Sequence, residues 1–326
     1  MTSKEKYQAL CNNEPSIPIF SRYWWLDTVC GKNHWDVLLA EENGKTIAAM
    51  PLYIPHRGIV SMPQFTQTMG PWFAAASDDT KYTTLIGRRQ EICKAFVETL
   101  RPYTSFLQNF SYEITDWLPF YWNGYSQTTR YTYLLHQIKD ENTIMENMSP
   151  NIRRNISKAR DKYHIRVKKG ITTEEFLRVQ RQTYSRQQLM MKEDTNTLAE
   201  LIKEARERGQ GDLWGGYDDN GDLHAVAFIV WQESSAYYLA GGENPGLRKS
   251  GAHSLVIRES IRYVSQYTDT FNFEGSMIPG IERFFREFGA QQTPYFTITR
   301  GKLSLIYRAW SKFVKIFMNN IHYAND

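Results

Sequence analysis

Cysteine is scarce in this sequence, and its few copies are not arranged for chemistry. The 326 residues contain three cysteines, Cys11, Cys30 and Cys93, an odd number without metal or redox spacing. The seven histidines are scattered along the chain, and no pair of them has the spacing of metal ligands. We therefore expect no metal site.

Long apolar runs are missing as well. No run approaches the ~20 residues that a membrane span needs, and the N-terminus MTSKEKYQAL lacks the apolar core of a secretory signal. Together with the odd cysteine count, these absences predict a protein of the reducing cytoplasm without a transmembrane segment.

The signatures of several enzyme and binding classes are absent too. The sequence contains neither Gly-x-Ser-x-Gly nor a Walker loop, which excludes ordinary serine hydrolases and nucleotide triphosphatases. A net charge of +4 is too mild to indicate a DNA-binding protein, and the RRM and KH signatures of RNA-binding domains are missing. No DNA partner is expected.

A hairpin pattern occurs twice in the chain. WDVLLAEENGKTIAAMPLYI places Asn43-Gly44 between two alternating runs, and LWGGYDDNGDLHAVAFIVW places Asn220-Gly221 in the same way; such turns are strong hairpin signals. A helix-like stretch precedes each hairpin and a glycine corner follows it. The length also favours two domains. We predict a structural duplication, with domains 1–140 and 141–326.

The second half alternates strand-like and helix-like segments, which predicts an α/β fold with a mixed sheet. At the end of the chain, an apolar stripe with basic neighbours predicts a C-terminal amphipathic helix over residues 303–321. Such a helix packs on its own protein or lies on a membrane surface, so peripheral membrane contact through this segment stays open.

Two basic segments of the second half are candidates for binding phosphate groups. Ser149-Pro150 begins a predicted helix whose polar face carries Arg153, Arg154 and Lys158. Further on, a glycine corner leads into a basic loop and the start of another helix, where N–H groups and cations can hold an anion. The alternative for either segment is that its charged side chains are solvated and bind no ligand. The predicted anion loop consists of Arg248, Lys249, Ser250, Gly251 and Ala252.

The order of strand, glycine corner, Arg-x-x-Gly-x and helix resembles the core of a GNAT acyltransferase. Arg248 and Gly251 match the loop pattern of that family, whereas His253 stands where a small residue is usual. With the repeat, SPNIRRNISKARDK and FNFEGSM, the chain resembles the tandem-GNAT group from about residue 20 to residue 300. This group includes the Fem-like aminoacyltransferases that build peptidoglycan cross-bridges and related acetyltransferases of polysaccharide biosynthesis.

The resemblance implies a fold of two GNAT-like domains and the transfer of an acyl or aminoacyl group. The donor would be an acyl-CoA or an aminoacyl-tRNA, and the acceptor an amine of a small molecule or of a glycan-linked cell-envelope or polysaccharide precursor. The backbone between Leu239 and Gly241 would polarise the acyl carbonyl, and the loop from Arg248 to Ala252 would hold the donor.

The same resemblance places Glu274 beside the acyl-binding strand as the group that takes a proton from the attacking ammonium. Alternatively, Glu274 caps the next element or pairs with Arg283. Tyr238 and Ser276 are candidates for protonating the leaving group. His253 is a second candidate for the acid or base, although a lone histidine is more often structural. Candidate substrate-binding residues are Arg153, Arg154, Lys158, Gln67, Trp72 and Arg283.

A non-catalytic protein remains the alternative. One or both GNAT-like halves would then bind a glycan precursor or a protein partner. His253 in the phosphate loop keeps this alternative open. The first half is the stronger candidate for lost catalysis, because TQTMGPWF is not followed by an Arg-x-x-Gly helix start.

Overall fold

The computed structural model describes residues 1–186, 194–275 and 277–301. Its contacts divide the chain into two compact units: Met1–Arg130 together with the described residues from Tyr295 onward, and Tyr131–Pro294. The predicted division at 140/141 differs from these units, because the chain passes between them within two strands, Ser126–His136 and Gln291–Gly301.

The first unit contains the Asn43-Gly44 hairpin. Both turn residues have positive φ, 50° and 75°, as the mirror-image turn that suits twisted strands requires. The helices of this unit are α1 (Ser3–Asn13), α2 (Tyr23–Cys30), α3 (Tyr82–Thr99) and α4 (Leu118–Tyr121), and its strands are β1 (Trp35–Glu42), β2 (Lys45–His56), β3 (Ile59–Ser61), β4 (Trp72–Phe73) and β5 (Ser105–Asn109).

The second unit begins within β6 (Ser126–His136). Its helices are α5 (Glu141–Asn147), α6 (Pro150–Ser157), α7 (Thr173–Arg186), α8 (Thr195–Glu207), α9 (Ala252–Val264) and α10 (Pro279–Glu287). Its strands are β7 (Arg166–Lys169), β8 (Gly211–Tyr217), β9 (Leu223–Trp231), β10 (Ala236–Glu243) and β11 (Thr270–Asn272), and the chain leaves this unit within β12 (Gln291–Gly301).

The order of strand pairings is the same in both units. In the second unit, β9 is antiparallel to β8 and β10, β10 is parallel to β11, and β11 is antiparallel to β6. In the first unit, β2 is antiparallel to β1, β3 and β4, β3 is parallel to β5, and β5 is antiparallel to β12. In the first unit, the short strands β3 and β4 thus occupy the positions that the two ends of β10 occupy in the second unit. The predicted mixed α/β fold with two GNAT-like units is confirmed.

Strand β9 lies at the centre of the second unit and is buried at every position. Helix α9 packs on this strand, as does α7, and a strand covered in this way is apolar throughout rather than alternating. The predicted start of α6 is confirmed, since the Ser149 hydroxyl accepts a hydrogen bond from the N–H of Ile152 at 3.3 Å and Pro150 occupies the first turn.

The predicted C-terminal helix at 303–321 lies outside the described residues. Within the described part of the chain, no helix is both long and apolar enough to cross a membrane.

Candidate active site

Strand β10 contains a bulge at Leu239. Tyr238 pairs with Ile229 of β9, and Ala240 pairs with the preceding residue, Phe228, so that Leu239 has no partner in the register. An extra residue of this kind bends a strand and re-aims the backbone groups around it. The sequence resemblance had placed the carbonyl-binding backbone in this segment.

The bulge also brings two residues of β10 onto one face of the strand. A Cβ atom added to Gly241 would overlap the hydroxyl of Tyr238 and would lie 2.7 Å from the carbonyl oxygen of Val226. Position 241 therefore admits only glycine while the Tyr238 hydroxyl stays where it is.

Strands β10 and β11 separate soon after they meet. Their parallel pairing joins Ala236 to Phe271 and Tyr237 to Asn272, and β11 ends there. The N–H of Phe273 then donates to the carbonyl of Tyr133 in β6 at 3.0 Å. Because the chain follows β6 from this point, the pairing of β11 with β10 ends at Tyr237. The bulge lies just beyond this last pair.

Glu274 and Gly275 form the turn that carries the chain away from β10. Both residues have the left-handed backbone conformation, with φ of 61° and 69°. For a glutamate this conformation is uncommon and costs free energy. A Cβ on Gly275 would lie 2.6 Å from the Cα of Thr132, so only glycine allows this approach to β6. The side-chain oxygen of Asn272 accepts a hydrogen bond from the Glu274 N–H at 2.7 Å and fixes the turn.

The surroundings of the Glu274 carboxyl oppose its ionisation. Burial raises its pKa well above the usual range, because the charged form loses its hydration. A carboxyl whose pKa approaches the working pH is an efficient acid or base. Ser276, the other candidate in this segment, lies outside the described residues.

This buried carboxyl predicts a specific effect of pH on stability. An unfolded glutamate titrates near ~4.3; between that pH and the raised pKa of Glu274, the folded protein binds more protons than the unfolded chain. Its stability therefore falls as pH rises through this window. We expect Glu274→Gln, which cannot ionise, to gain melting temperature relative to the parent between pH 5 and pH 8. A melting-temperature difference that stays constant with pH would contradict this, and exposed Glu233→Gln is the control.

Tyr238 and His253 form a hydrogen-bonded pair. The phenol oxygen lies 3.0 Å from Nε2 of His253, and the imidazole stacks on Phe284 at a centroid distance of 5.3 Å. Burial lowers the pKa of His253, an effect that the charge of Glu243 opposes. The imidazole is therefore neutral near pH 7 and acts as the hydrogen-bond partner of the phenol. Both residues are candidates from the sequence, but no sequence pattern indicates that they pair.

The predicted anion loop is a short 3₁₀ turn, Arg248–Ser250, followed by Gly251 at the start of α9. Its N–H groups donate within the segment itself: that of Ser250 to the carbonyl of Leu247 at 3.1 Å and that of Gly251 to the carbonyl of Arg248 at 3.2 Å. The N–H of Ala252 donates to the hydroxyl of Ser250 at 3.2 Å. Three N–H groups of the predicted anion loop are thus used within the segment.

A buried network that the sequence analysis missed holds this loop in place. Nδ1 of His224 lies 3.0 Å from the Ser250 hydroxyl, and its Nε2 lies 3.2 Å from a carboxylate oxygen of Asp218. His224 and Ser250 are both buried. The network ties the loop to the β8–β9 turn, and Ser250 consequently has no face toward a ligand. No local pattern in the sequence marks such a pairing.

Helix α6 packs against the loop. A Cβ on Gly251 would lie 2.8 Å from the carbonyl oxygen of Asn155 in α6. Basic residues lie close in sequence to both sides of this contact, and within the described part of the chain none of them forms an ion pair or a side-chain hydrogen bond. These cations, which we call the basic cluster, are Arg153, Arg154, Lys158, Arg248 and Lys249.

The other predicted substrate-binding residues lie in different surroundings. Arg283 forms an ion pair with Glu287 at 2.8 Å instead of the suggested pair with Glu274. Gln67 and Trp72 are buried in the first unit, where the Trp72 indole donates to the Ser16 hydroxyl at 3.0 Å.

In the first unit, the parallel pairing continues past the end of β3, along the segment before β4. The N–H of Met69 donates to the carbonyl of Asn109 at 2.6 Å, and the N–H of Ser111 donates to the carbonyl of Met69 at 3.2 Å. The segment before β4 therefore continues the parallel pairing along β5. The backbone groups of Met69 and Asn109 are therefore used for pairing within this unit.

Among the described residues, no group of three or more His, Cys, Asp or Glu side chains could hold a metal ion.

The candidate site consists of the edge of β10 beyond Tyr237, the Glu274 carboxyl, the Tyr238–His253 pair and the basic cluster.

Comparison with known proteins identifies the class to which this architecture belongs. Residues 147–286 match the family model of the acetyltransferase (GNAT) domain. The sequence search of curated proteins gives no match. A crystal structure of FemX superimposes with a TM-score of 0.66 at 13% identity, over 91% of this chain and 96% of that one.

Two further solved structures share the fold. The C-terminal domain of a putative lysylphosphatidylglycerol synthetase from Agrobacterium fabrum has a TM-score of 0.57 at 11% identity, over 95% of each chain. The L-PGS structure from Bacillus licheniformis has a TM-score of 0.51 at 10% identity, over 82% of this chain and 85% of that one. The chain therefore shares the fold of these structures, as its sequence resemblance implied, and its residues 147–286 match the GNAT-domain model.

Proposed function

We propose that this protein is an N-acyltransferase that moves an acyl or aminoacyl group from an activated carrier to an amine. The observation that carries the proposal is the bulge at Leu239 on the edge of β10, just beyond the last residue of that strand that pairs with β11. A carbonyl laid along this edge would accept a hydrogen bond from the strand backbone, which stabilises the negative charge of a tetrahedral intermediate. Transfer would be direct, with both substrates bound together.

The side chains around the edge supply the proton transfers. The attacking ammonium loses a proton to the Glu274 carboxylate, and its nitrogen then forms the bond to the acyl carbon. As the bond to the carrier breaks, Tyr238 donates its phenol proton to the departing atom, and the resulting phenolate takes the second proton that the nitrogen releases when it becomes an amide. His253, at 3.0 Å from the phenol oxygen, stabilises the phenolate by hydrogen bonding.

The basic cluster favours a donor rich in phosphate groups, such as the acceptor end of an aminoacyl-tRNA. Arginine binds phosphate through a planar fork of donors and lysine binds it as a point charge, so neither requires free loop N–H groups. The names of the structural neighbours, FemX and lysylphosphatidylglycerol synthetase, support an acceptor amine in a small-molecule, glycan-linked or other precursor of the cell envelope.

Binding experiments separate the two donors. We expect aminoacyl-tRNA to bind at micromolar concentration with a steep salt dependence. A charge-assisted contact contributes ~1.5–3 kcal/mol, so Arg153→Gln combined with Arg154→Gln should weaken binding by about tenfold or more. Arg101→Gln, a change at an exposed arginine paired with Glu98, should leave the affinity unchanged.

Acetyl-CoA is the contrasting ligand. By calorimetry, we expect no binding to the parent at about 1 mM ligand, a concentration that detects weak complexes. Micromolar binding that is lost in Arg248→Ala would contradict the tRNA donor and restore acyl-CoA, while leaving the transferase proposal intact.

A catalytically silent binding protein is the second candidate, and it is favoured for the first unit by the backbone pairing at Met69. That unit would bind a glycan precursor or a protein partner, while transfer takes place on the second. If the whole chain were silent, labelled aminoacyl-tRNA would keep its amino acid in the presence of protein and acceptor amines.

A further inference from the structure

Helix α10 lies against both members of the Tyr238–His253 pair. The ring of Phe284 stacks on the imidazole at a centroid distance of 5.3 Å and an interplanar angle of 18°. The next residue, Phe285, meets the Tyr238 ring in a T-shaped contact at 5.9 Å. Two consecutive side chains of one helix thus pack on the two groups of the pair, although neither phenylalanine can exchange a proton.

The imidazole of His253 depends on this stack for its orientation. A functional histidine is usually oriented by a hydrogen bond at its second ring nitrogen. Within the described residues, the His253 ring forms one hydrogen bond, between Nε2 and the phenol oxygen of Tyr238 at 3.0 Å. Because a single hydrogen bond leaves the ring free to tilt, the flat face of Phe284 supplies the second restraint and fixes the plane of the imidazole.

Phe284 also limits the access of water to the imidazole. The phenylalanine ring is half-buried and covers one face of His253. Burial lowers the pKa of His253, whereas the negative charge of Glu243 in β10 raises it; the Tyr238 phenol is the titratable group in direct contact. An apolar cover disfavours the charged imidazolium, so the stack keeps His253 in the neutral form that pairs with the phenol.

The position of Phe284 is in turn fixed by the attachments of α10. The Glu282 carboxylate accepts a hydrogen bond from the Tyr133 hydroxyl of β6 at 3.0 Å. At the end of the helix, the carbonyl of Glu287 accepts from the N–H of Ser149 at 2.8 Å, where α6 begins. Because it is attached to both β6 and α6, helix α10 presents Phe284 at a defined place beside the imidazole.

We propose that Phe284 is a positioning residue, whose ring holds the imidazole of His253 in hydrogen-bonding contact with the Tyr238 phenol. This inference rests on the proposed function, because Phe284 acts only through the Tyr238–His253 pair. Its effect falls on the rate of transfer and not on donor binding, since the basic cluster that favours the donor lies on α6 and the loop before α9.

The first test is an NMR titration of His253 in the full chain, which needs no substrate. Among the seven histidines, the resonance of His253 is assigned by its loss in His253→Asn. In Phe284→Ala, water reaches the uncovered face of the imidazole, so the pKa of His253 should rise toward the ordinary value of ~6.5. Phe284→Tyr keeps a flat ring and should titrate like the parent.

The second test is single-turnover transfer at saturating donor. Phe284→Ala should lower the rate by about tenfold to a hundredfold, because misplacement of a reacting group by ~1 Å can cost 10²-fold. Donor affinity should stay at the parent value, and Phe284→Tyr should restore the rate. A general loss of structure would weaken donor binding as well.

Tyr267→Ala is the matched control, because it removes a ring that is stacked in the same way on Trp231, at 5.5 Å and 20°, instead of on His253. It should leave the His253 titration and the transfer rate unchanged. If Phe284→Ala fails to fold by circular dichroism, Phe284→Leu is the second variant, because it fills the space without a flat ring and should show the same loss of rate.

The outcomes separate this inference from the proposed function. An unchanged His253 titration in folded Phe284→Ala, or an unchanged rate, would overturn the role of Phe284 while leaving the transferase proposal intact. A parent that transfers nothing would instead contradict the proposed function, and with it the role of Phe284 in transfer, even if the titration shifted as expected.

Discussion

Replacement of Gly241 by alanine is expected to lower turnover by about two orders of magnitude or more. The added methyl group would overlap the Tyr238 hydroxyl and lie 2.7 Å from the carbonyl of Val226. The backbone oxygen cannot withdraw from a central strand, so the phenol must move and give up its 3.0 Å contact with His253. Misplacement of a reacting group by ~1 Å can cost 10²-fold in rate.

The measurement is single-turnover transfer from the donor that the binding experiments identify, with circular dichroism of each variant to verify folding. Gly246→Ala is the matched control, because the nearest neighbour of its new methyl group would be the Asn244 side-chain oxygen at 3.6 Å. Turnover of Gly241→Ala at the parent rate would show that the Tyr238 hydroxyl takes no part in the reaction.

Glu274→Gln should lower turnover by ~10²–10⁴, the usual contribution of a positioned general base. Since burial raises the pKa of Glu274 well above the usual range, activity of the parent should rise with pH as this carboxyl loses its proton. The amide cannot titrate, so residual activity of the variant should lack this limb of the profile.

A pH-rate profile from pH 5 to 9 distinguishes this role from a structural one. Loss of structure alone would lower the rate without changing the shape of the profile. Glu233→Gln, a change at an exposed carboxylate, should retain both the rate and the profile of the parent. If Glu274→Gln kept the acidic limb, another group would be responsible for the titration.

Much of the architecture follows from short-range patterns in the sequence. The two Asn-Gly hairpins, the Ser149-Pro150 helix start and the alternation of strands and helices depend on neighbouring residues, and all of them are present. Local rules of turns, caps and hydrophobic periodicity are sufficient for such features.

The geometry of the candidate site could not be predicted from local sequence patterns. The bulge at Leu239 is a property of the register between two strands, and the Tyr238–His253 contact depends on it. Likewise, the sequence indicated the basic loop but not that its N–H groups donate within the segment or that His224 holds Ser250. Contacts between residues distant in sequence are decided by packing, which composition and spacing do not specify.

The chain changes unit within β6 and again within β12. Each unit therefore contains strand residues from both sequence repeats. Residues 297–301 of β12, at the end of the second repeat, pair with β5 of the first, and residues 134–136 of β6, at the end of the first repeat, pair with β11 of the second. Each repeat has thus donated its closing strand to the other, as in a domain-swapped dimer fused into one chain. A gene cut at codon 140 would yield two halves that each expose an unpaired sheet edge, so soluble protein should require both halves in the same cell.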